Sequence, residues 1–285
     1  MTESHAPRIW LVDKPQGPTS HDIVAQVRRA VGRRVKVGHA GTLDPFATGL
    51  LIVLVGRATR LARYLADLDK TYVAEIVLGR CSESGDPEGP ITEGAAPPQA
   101  DEVDRAIQEL EGVHDQLVPA LSAVKVDGER LYARVRRGEA VPERPSREIS
   151  ITAARRIALS DDRRRLTVEL GCSKGTYIRQ VAVDLGERLG CGGYCDTLRR
   201  TAIGSLSVGD AVPPDAVGPH GGLPPHVALA HMTRRELNAE EARRVSHGEP
   251  LEGDDQGTVA LTHGERLVAV ARGDGSRLQP EVVLG

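Results

Sequence analysis

Gly38-His39-Ala40-Gly41-Thr42-Leu43-Asp44-Pro45-Phe46-Ala47-Thr48-Gly49 is the stretch on which the reading of this chain turns. Three glycines and a proline within twelve residues argue against a helix, and Pro45 biases Asp44 away from the α region. The run therefore sets one carboxylate, Asp44, on a constrained loop with no neighbouring acid. A lone acid there can start a turn, cap a helix or act as a nucleophile, and Asp-Pro pairs commonly start turns. A plain turn leaves the glycines on both sides, His39 and the apolar run 50–55 unexplained.

Four further segments accompany it: Asp13-Lys14-Pro15-Gln16-Gly17 with Thr19-Ser20 close behind, Lys70-Thr71-Tyr72, Cys172-Ser173-Lys174-Gly175-Thr176-Tyr177-Ile178-Arg179, and Leu198-Arg199-Arg200. In this order they resemble motifs of the TruB-type pseudouridine synthases, whose catalytic motif the 38–49 run matches without a gap. The similarity covers most of residues 8 to 208 and continues more loosely beyond. The resemblance implies an isomerase that converts uridine to pseudouridine at position 55 in the T-loop of tRNA.

Composition is compatible with this. The 285 residues suffice for one large domain, or a large and a small one. Hydrophobic and charged contents of 40% and 27% fit a soluble globular protein. No apolar stretch approaches the ~20 residues of a membrane span. The first eight residues lack the apolar core of a secretory signal, so a cytoplasmic location is expected. Cys81, Cys172, Cys191 and Cys195 are too few and scattered for a disulfide scaffold. Cys191 and Cys195 have no second Cys or His pair at zinc spacing, and neither metal nor cofactor is expected.

A net charge of −3 does not advertise a nucleic-acid binder, but distribution matters more than the sum. Basic residues cluster at 28–36, 134–137, 163–165 and 199–200, while acids gather at 83–93 and 101–111. Taken singly, any one cluster reads better as solvated surface. Aromatics are only 2%, and Phe46, Tyr72 and Tyr177 all fall inside motifs, which suits stacking on bases at ~1–3 kcal/mol each.

Along the chain, 9–12 reads as a strand and 19–31 as a helix with capping-box spacing at Thr19 and Asp22 and an inward stripe of Ile23, Val24, Val27 and Val31. The run 50–55 is a buried strand, and 70–78 alternates with Tyr72, Ala74, Ile76 and Leu78 on one face. Strands and helices mix without a βαβ rhythm, so the fold class is α+β. The domains expected are a catalytic domain over 1–212, a Pro/Gly-rich linker over 213–232, and a small β-rich domain over 233–285. By resemblance, the first is a pseudouridine synthase fold, with a large, mostly antiparallel sheet and flanking helices. It carries an RNA-gripping insert at 119–148, and the last domain is a PUA-like RNA-binding barrel.

The resemblance also implies roles. Asp44 is the nucleophile, attacking either the ribose C1′ or the base C6. Arg179 is its ionic partner, since a guanidinium favours the charged carboxylate; read alone, it is an arginine at a helix start. Tyr72 stacks on the flipped base and is a candidate proton acceptor at C5, although its alternation also suits the core. Tyr177 and Leu198 wall the uridine pocket, or are plain core. His39, Lys14, Lys125, Lys174 and Arg130 contact RNA, Lys14 and Lys174 alternatively supporting the active-site loops.

The partner implied is the T-arm of tRNA, with no membrane and no obligate protein partner, and the expected state is a monomer. Two alternatives stand beside this reading. One is the guide-RNA-dependent relative, which usually carries a longer, lysine-rich C-terminal region. The other is a non-catalytic chaperone of tRNA folding. A sugar glycosidase would want two paired carboxylates, and none is evident.

Overall fold

The computed structural model describes residues 6–119, 122, 124–126, 129–131, 137 and 144–284. The fold is α+β, in two compact units that do not follow sequence order. One comprises Met1–Pro45, Gly49–Leu68 and Ala202–Gly285, the other Phe46–Thr48 and Asp69–Thr201.

The first unit begins with β1 (Arg8–Lys14), which leads into α1 (Ser20–Val31). The helix starts where the sequence predicts. Thr19 Oγ1 accepts from the Asp22 N–H at 3.1 Å, and the Asp22 carboxylate accepts from the Thr19 N–H at 2.9 Å, closing the capping box. The Thr19 hydroxyl, which donates to Asp22 Oδ2 at 2.6 Å, and after it the Thr19 N–H hold the Asp22 carboxyl below its ordinary pKa. The helix ends at Gly32, whose φ of +116° only glycine adopts freely. After β2 (Val37–Ala40), β3 (Thr48–Val55) pairs antiparallel with β1, from Arg8↔Val55 to Lys14↔Gly49, and with β2.

The run 50–55 is apolar throughout because β3 is covered on both faces. Leu51, Val53 and Val55 join Ile23, Val24, Val27 and Val31 of α1 in one core. Leu50, Ile52 and Leu54 point into another.

The second unit holds β4 (Lys70–Leu78), the short pair β5 (Arg80–Ser82) and β6 (Ile91–Glu93), α2 (Ala100–Gln108) and β7 (Gly112–Leu117). Next come β8 (Lys125–Val126), β9 (Glu129–Arg130), β10 (Ser146–Leu159), β11 (Arg165–Cys172), α3 (Ile178–Arg188) and β12 (Gly193–Ile203), whose last two residues belong to the first unit. Within this unit the strand order is β12-β4-β11-β10-β7. The β4–β11, β11–β10 and β10–β7 pairs are antiparallel. Tyr72, Ala74, Ile76 and Leu78 of β4 are buried, as its alternation predicts, and Lys70 and Val77 are buried with them. Most of the expected insert at 119–148 lies outside the described residues; within it, β8 and β9 pair at Lys125↔Arg130. Gly186 lies inside α3 because a Cβ there would fall 2.1 Å from the Gly193 nitrogen, so helix and strand meet backbone to backbone.

The chain then returns to the first unit through β13 (Leu206–Ser207). The Pro/Gly-rich stretch expected as a linker is anchored to β1. Val212 N–H donates to the Leu11 carbonyl at 2.9 Å, and Ile9 and Leu223 exchange hydrogen bonds of 3.0 and 2.7 Å. Prolines cannot donate, so non-proline residues bracketing the stretch make the contacts. The last strands are β14 (Thr233–Glu236), β15 (Leu251–Glu252), β16 (Gln256–His263), β17 (Arg266–Asp274) and β18 (Arg277–Val283). They form a sheet ordered β14-β16-β17-β18-β15, with β14 parallel to β16. A second capping box, Asn238 with Glu241, starts α4 (Ala239–Ser246).

This C-terminal sheet shares the core that lies beneath β1 and β3. Ala260, Leu267, Val270, Val282 and Leu284 pack in one cluster with Ile9, Leu50, Ile52 and Leu54. Deleting residues 233–285 is therefore expected to expose the underside of β1 and β3 and to unfold the first unit. Circular dichroism and thermal melting of the truncated chain check this: a melt within a few degrees of the full chain would show that the C-terminal sheet is dispensable for folding.

Candidate active site

The Asp44 loop is held from two sides by motifs of its own unit. Ser20, the first residue of α1 and almost fully buried, accepts from the Leu43 N–H at 2.9 Å and donates its hydroxyl to the Leu43 carbonyl at 3.0 Å. On the other side, the Pro45 carbonyl accepts from the Gly17 N–H at 2.8 Å and from the Lys14 ammonium at 3.2 Å. Lys14 also donates to the Pro15 carbonyl at 3.1 Å. The residues before and after Asp44 are thus fixed, while Asp44 itself is half-buried. Gly17 takes φ +106°, the conformation that turns its N–H toward Pro45.

Lys14, named from the sequence as an RNA contact or a loop support, is fully buried. It presents no surface to RNA; its ammonium is committed to backbone carbonyls that carry the Asp44 loop. Buried ammonium groups persist only when partnered in this way. His39 is half-buried on β2.

The second unit gathers the other candidates. Arg179, in the first turn of α3, is buried at 4% exposure, and its Nη1 donates to the Ser84 carbonyl at 3.0 Å and to Asp86 Oδ2 at 3.1 Å. Asp86 is equally buried. Its Oδ1 accepts from Ser84 Oγ at 2.6 Å and from the Glu88 N–H at 3.1 Å. The 82–89 loop thus wraps the start of α3. Gly85, at φ +74°, leans on the Arg179 backbone, where a Cβ would meet the Arg179 carbonyl oxygen at 3.3 Å. The sequence reading paired Arg179 with Asp44 and did not name Asp86, which is a further carboxylate partner. The signal available was Ser84-Gly85-Asp86, a polar turn whose acid has a small residue before it.

Tyr177 caps the N-terminus of α3 and is held by Gln116 of β7, a residue that the sequence reading also missed. The buried Gln116 carboxamide accepts from the Tyr177 N–H at 2.8 Å and donates to the Tyr177 carbonyl at 3.0 Å. The Arg147 guanidinium lies 5.4 Å from the centroid of the Tyr177 ring, a cation–π distance. Lys174 is exposed in the preceding turn.

Tyr72 is buried near the start of β4, opposite Leu170 of β11. Thr201 Oγ1 donates to the carbonyl of the adjacent Thr71 at 3.2 Å. Leu198 is buried on β12, and its carbonyl accepts from Thr48 Oγ1 at 3.4 Å. Cys172, paired with Lys70 across β11 and β4, has its thiol pushed up to about 11 by burial, so it stays protonated and is no nucleophile at neutral pH. The side chains of Lys125 and Arg130, expected at the RNA, lie outside the described residues.

The arrangement supplies two kinds of fixed charge. One is a carboxylate on a loop with clamped flanks. The other is a buried guanidinium whose helix start, with the neighbouring tyrosine, is pinned by Asp86 and Gln116.

The model of the TruB family pseudouridylate synthase (N terminal domain) matches residues 28–178. A tRNA pseudouridine synthase B of Thermobifida fusca (strain YX) is 44% identical over 292 residues, spanning 96% of this chain and 97% of that protein. The enzyme of the same name from Synechococcus sp. (strain WH7803) is 41% identical, spanning 96% of both. Among solved structures, a chain of an H/ACA RNP bound to a substrate RNA containing 2′-deoxyuridine superposes with a TM-score of 0.75 at 22% identity, over 98% of this chain and 85% of that one. At that identity the likeness is one of fold. With a family match over half of its length and relatives above 40% identity along nearly all of it, this chain belongs to the TruB family of pseudouridylate synthases.

Proposed function

We propose that this protein isomerises uridine to pseudouridine in tRNA, at position 55 of the T-loop, with Asp44 as the nucleophile. The observation that carries the assignment of Asp44 is the double clamp on its loop: Leu43 held by Ser20, and Pro45 held by Gly17 and Lys14. Such a loop presents its carboxylate without reorganising, which is where catalytic groups gain most.

The reaction breaks the bond from C1′ to N1, rotates the base and rejoins it through C5. The C5 proton leaves and N1 gains one, so no atom is lost and no oxidant is consumed. The target base must leave its stack, at a cost of a few kcal/mol. Asp44 attacks C1′ or C6. Arg179 holds negative charge at the reacting centre, and Tyr72 stacks on the base and accepts the C5 proton. Tyr177 and Leu198 wall the pocket. His39, Lys174 and Arg147 meet the T-arm, and the enzyme works as a cytoplasmic monomer.

Release of tritium from C5 of uridine in an unmodified tRNA transcript tests this. Release mapping to position 55 is the expected result. Tight tRNA binding with no release would instead favour a folding chaperone or a guide-dependent enzyme.

Gln116→Leu is expected to lower kcat about tenfold while costing about 2 kcal/mol of stability, because it strips the partners from the Tyr177 backbone next to Arg179. Single-turnover rates and a denaturant titration check both numbers. An unchanged rate in a destabilised variant would reduce Gln116 to a purely structural role.

A further inference from the structure

Three of the four cysteines stand around one segment of the second unit, residues 79–94, and the isomerisation assigns them no work. The segment lies on the turn between α3 and β12. Gly79 N–H donates to the Gly192 carbonyl at 3.0 Å, and Cys195 N–H donates to the Gly85 carbonyl at 3.0 Å. Cys81, in β5, is exposed, whereas Cys191 and Cys195 are buried. The Cys81 sulfur fills the space left by the missing side chain of Gly192, where a Cβ would overlap it. Cys191 immediately precedes that glycine, and its own Sγ donates to the Gly192 carbonyl at 3.3 Å. Two thiols thus border one residue. Cys195 Sγ turns elsewhere, donating to the Thr197 carbonyl at 3.5 Å.

The two thiols differ in a way that orders their chemistry. Burial holds the Cys191 thiol above its ordinary pKa, and the nearby Cys81 thiol acts in the same direction. Oxidation follows thiolate character and access. The exposed Cys81 therefore meets an oxidant before Cys191 does. A disulfide needs its Cβ atoms about 3.5–4.5 Å apart, so Cys81 must slide off Gly192 towards Cys191 to form one. Ser82 moves with it. The Ser82 hydroxyl donates to the Asp86 carbonyl at 2.6 Å, and the Asp86 carboxylate and the Ser84 carbonyl hold Arg179. A chain of direct contacts therefore runs from Cys81 to the Arg179 guanidinium.

We propose that Cys81 and Cys191 form a peroxide-sensitive modification site, closing to a disulfide that unseats Arg179 and slows turnover. Hydrogen peroxide oxidises the Cys81 sulfur to a sulfenic acid and leaves as one water. The Cys191 sulfur then attacks the Cys81 sulfur. The S–S bond forms, the S–O bond breaks, and the hydroxyl departs with the Cys191 proton as a second water. Two electrons pass from the pair of thiols to the peroxide. A dithiol reductant reverses the change by thiol–disulfide exchange. The effect on turnover rests on the assignment of Arg179 to the reacting centre, whereas the cross-link itself does not.

The test uses the full chain, treated with hydrogen peroxide that is then destroyed by catalase, beside the variants Cys81→Ser and Cys191→Ala. Proteolysis without reductant, followed by mass spectrometry, is expected to give one linked pair of peptides. The pair should contain Cys81 and Cys191 and be two hydrogens lighter than the sum of its parts. Alkylation should find two of the four thiols remaining, and dithiothreitol should restore the others. Amide hydrogen exchange over 82–89 should speed about tenfold in the oxidised chain as the Asp86 turn leaves its seat. Single-turnover tritium release should fall about tenfold, within what a small misplacement near a catalytic group costs, and recover with dithiothreitol. Cys81→Ser changes an exposed position, so it should fold as the wild type does and keep its rate through the peroxide.

A linked peptide through Cys195 or Cys172, or a Cys81 that stops at the sulfenic or sulfinic acid, overturns the pairing. A Cys81–Cys191 bond that leaves both exchange over 82–89 and the rate unchanged overturns its reach to Arg179. An equal loss of rate in peroxide-treated Cys81→Ser also overturns it, since another group would then be the target. A wild-type protein that forms no pseudouridine would refute the isomerase reading, yet the peptide map and the exchange rates would still decide the disulfide.

Discussion

Asp44→Asn is expected to abolish turnover, by at least about a thousandfold, the scale on which loss of a catalytic nucleophile falls. The amide keeps the volume of the carboxylate and can still sit between the clamped Leu43 and Pro45. Affinity for tRNA should therefore stay within about twofold, and the melting temperature should not fall. Tritium release from C5 under single-turnover conditions reads the first quantity and filter binding the second. Residual activity above a few per cent would remove Asp44 from the nucleophile's role. Lost activity together with lost binding would point to a collapsed loop instead.

Asp86→Ala should be costly in stability. Arg179 and Asp86 are both buried, at 4% and 7% side-chain exposure, so removing the carboxylate takes an anionic partner from a guanidinium held in the interior. Breaking one side of such a pair costs about 3–5 kcal/mol, whereas replacing both sides by apolar residues of similar volume is often neutral. The double variant Arg179→Met/Asp86→Leu should recover most of that stability and remain inactive. Urea titrations of the two variants, with tritium release from each, separate structure from chemistry. A stable and active double variant would show that neither charge serves the reaction.

Helix α1 was legible in the sequence because its determinants are local. The Thr19–Asp22 box, the apolar stripe and Gly32 all act within one or two turns. The Asp44 loop was legible for the same reason: Pro45 and the glycines restrict the backbone wherever the segment lies. Alternation in 70–78 likewise identified the buried face of β4, Tyr72 included.

The partners of these groups were not legible. Gln116 reaches Tyr177 across 61 residues and Arg179 reaches Ser84 across 95, and nothing in either local pattern names the other. The role of Lys14 was open for a similar reason, since a lysine in a loop motif reads as exposed until burial commits its ammonium to the Pro45 carbonyl. The C-terminal strands read as a separate small domain because a linker-like composition precedes them. Yet Leu267, Val270 and Leu284 bury against Ile9 and Leu54.

The amino-acid sequence alone thus determined where α1, β3 and β4 lie, and which carboxylate stands on the constrained loop, because backbone sterics and side-chain periodicity act over a few residues. Only the tertiary structure decided what clamps that loop, that the buried Asp86 pairs with Arg179, and which core the last strands complete. Those outcomes depend on burial and on contacts between distant segments, and neither is set by any one stretch of chain.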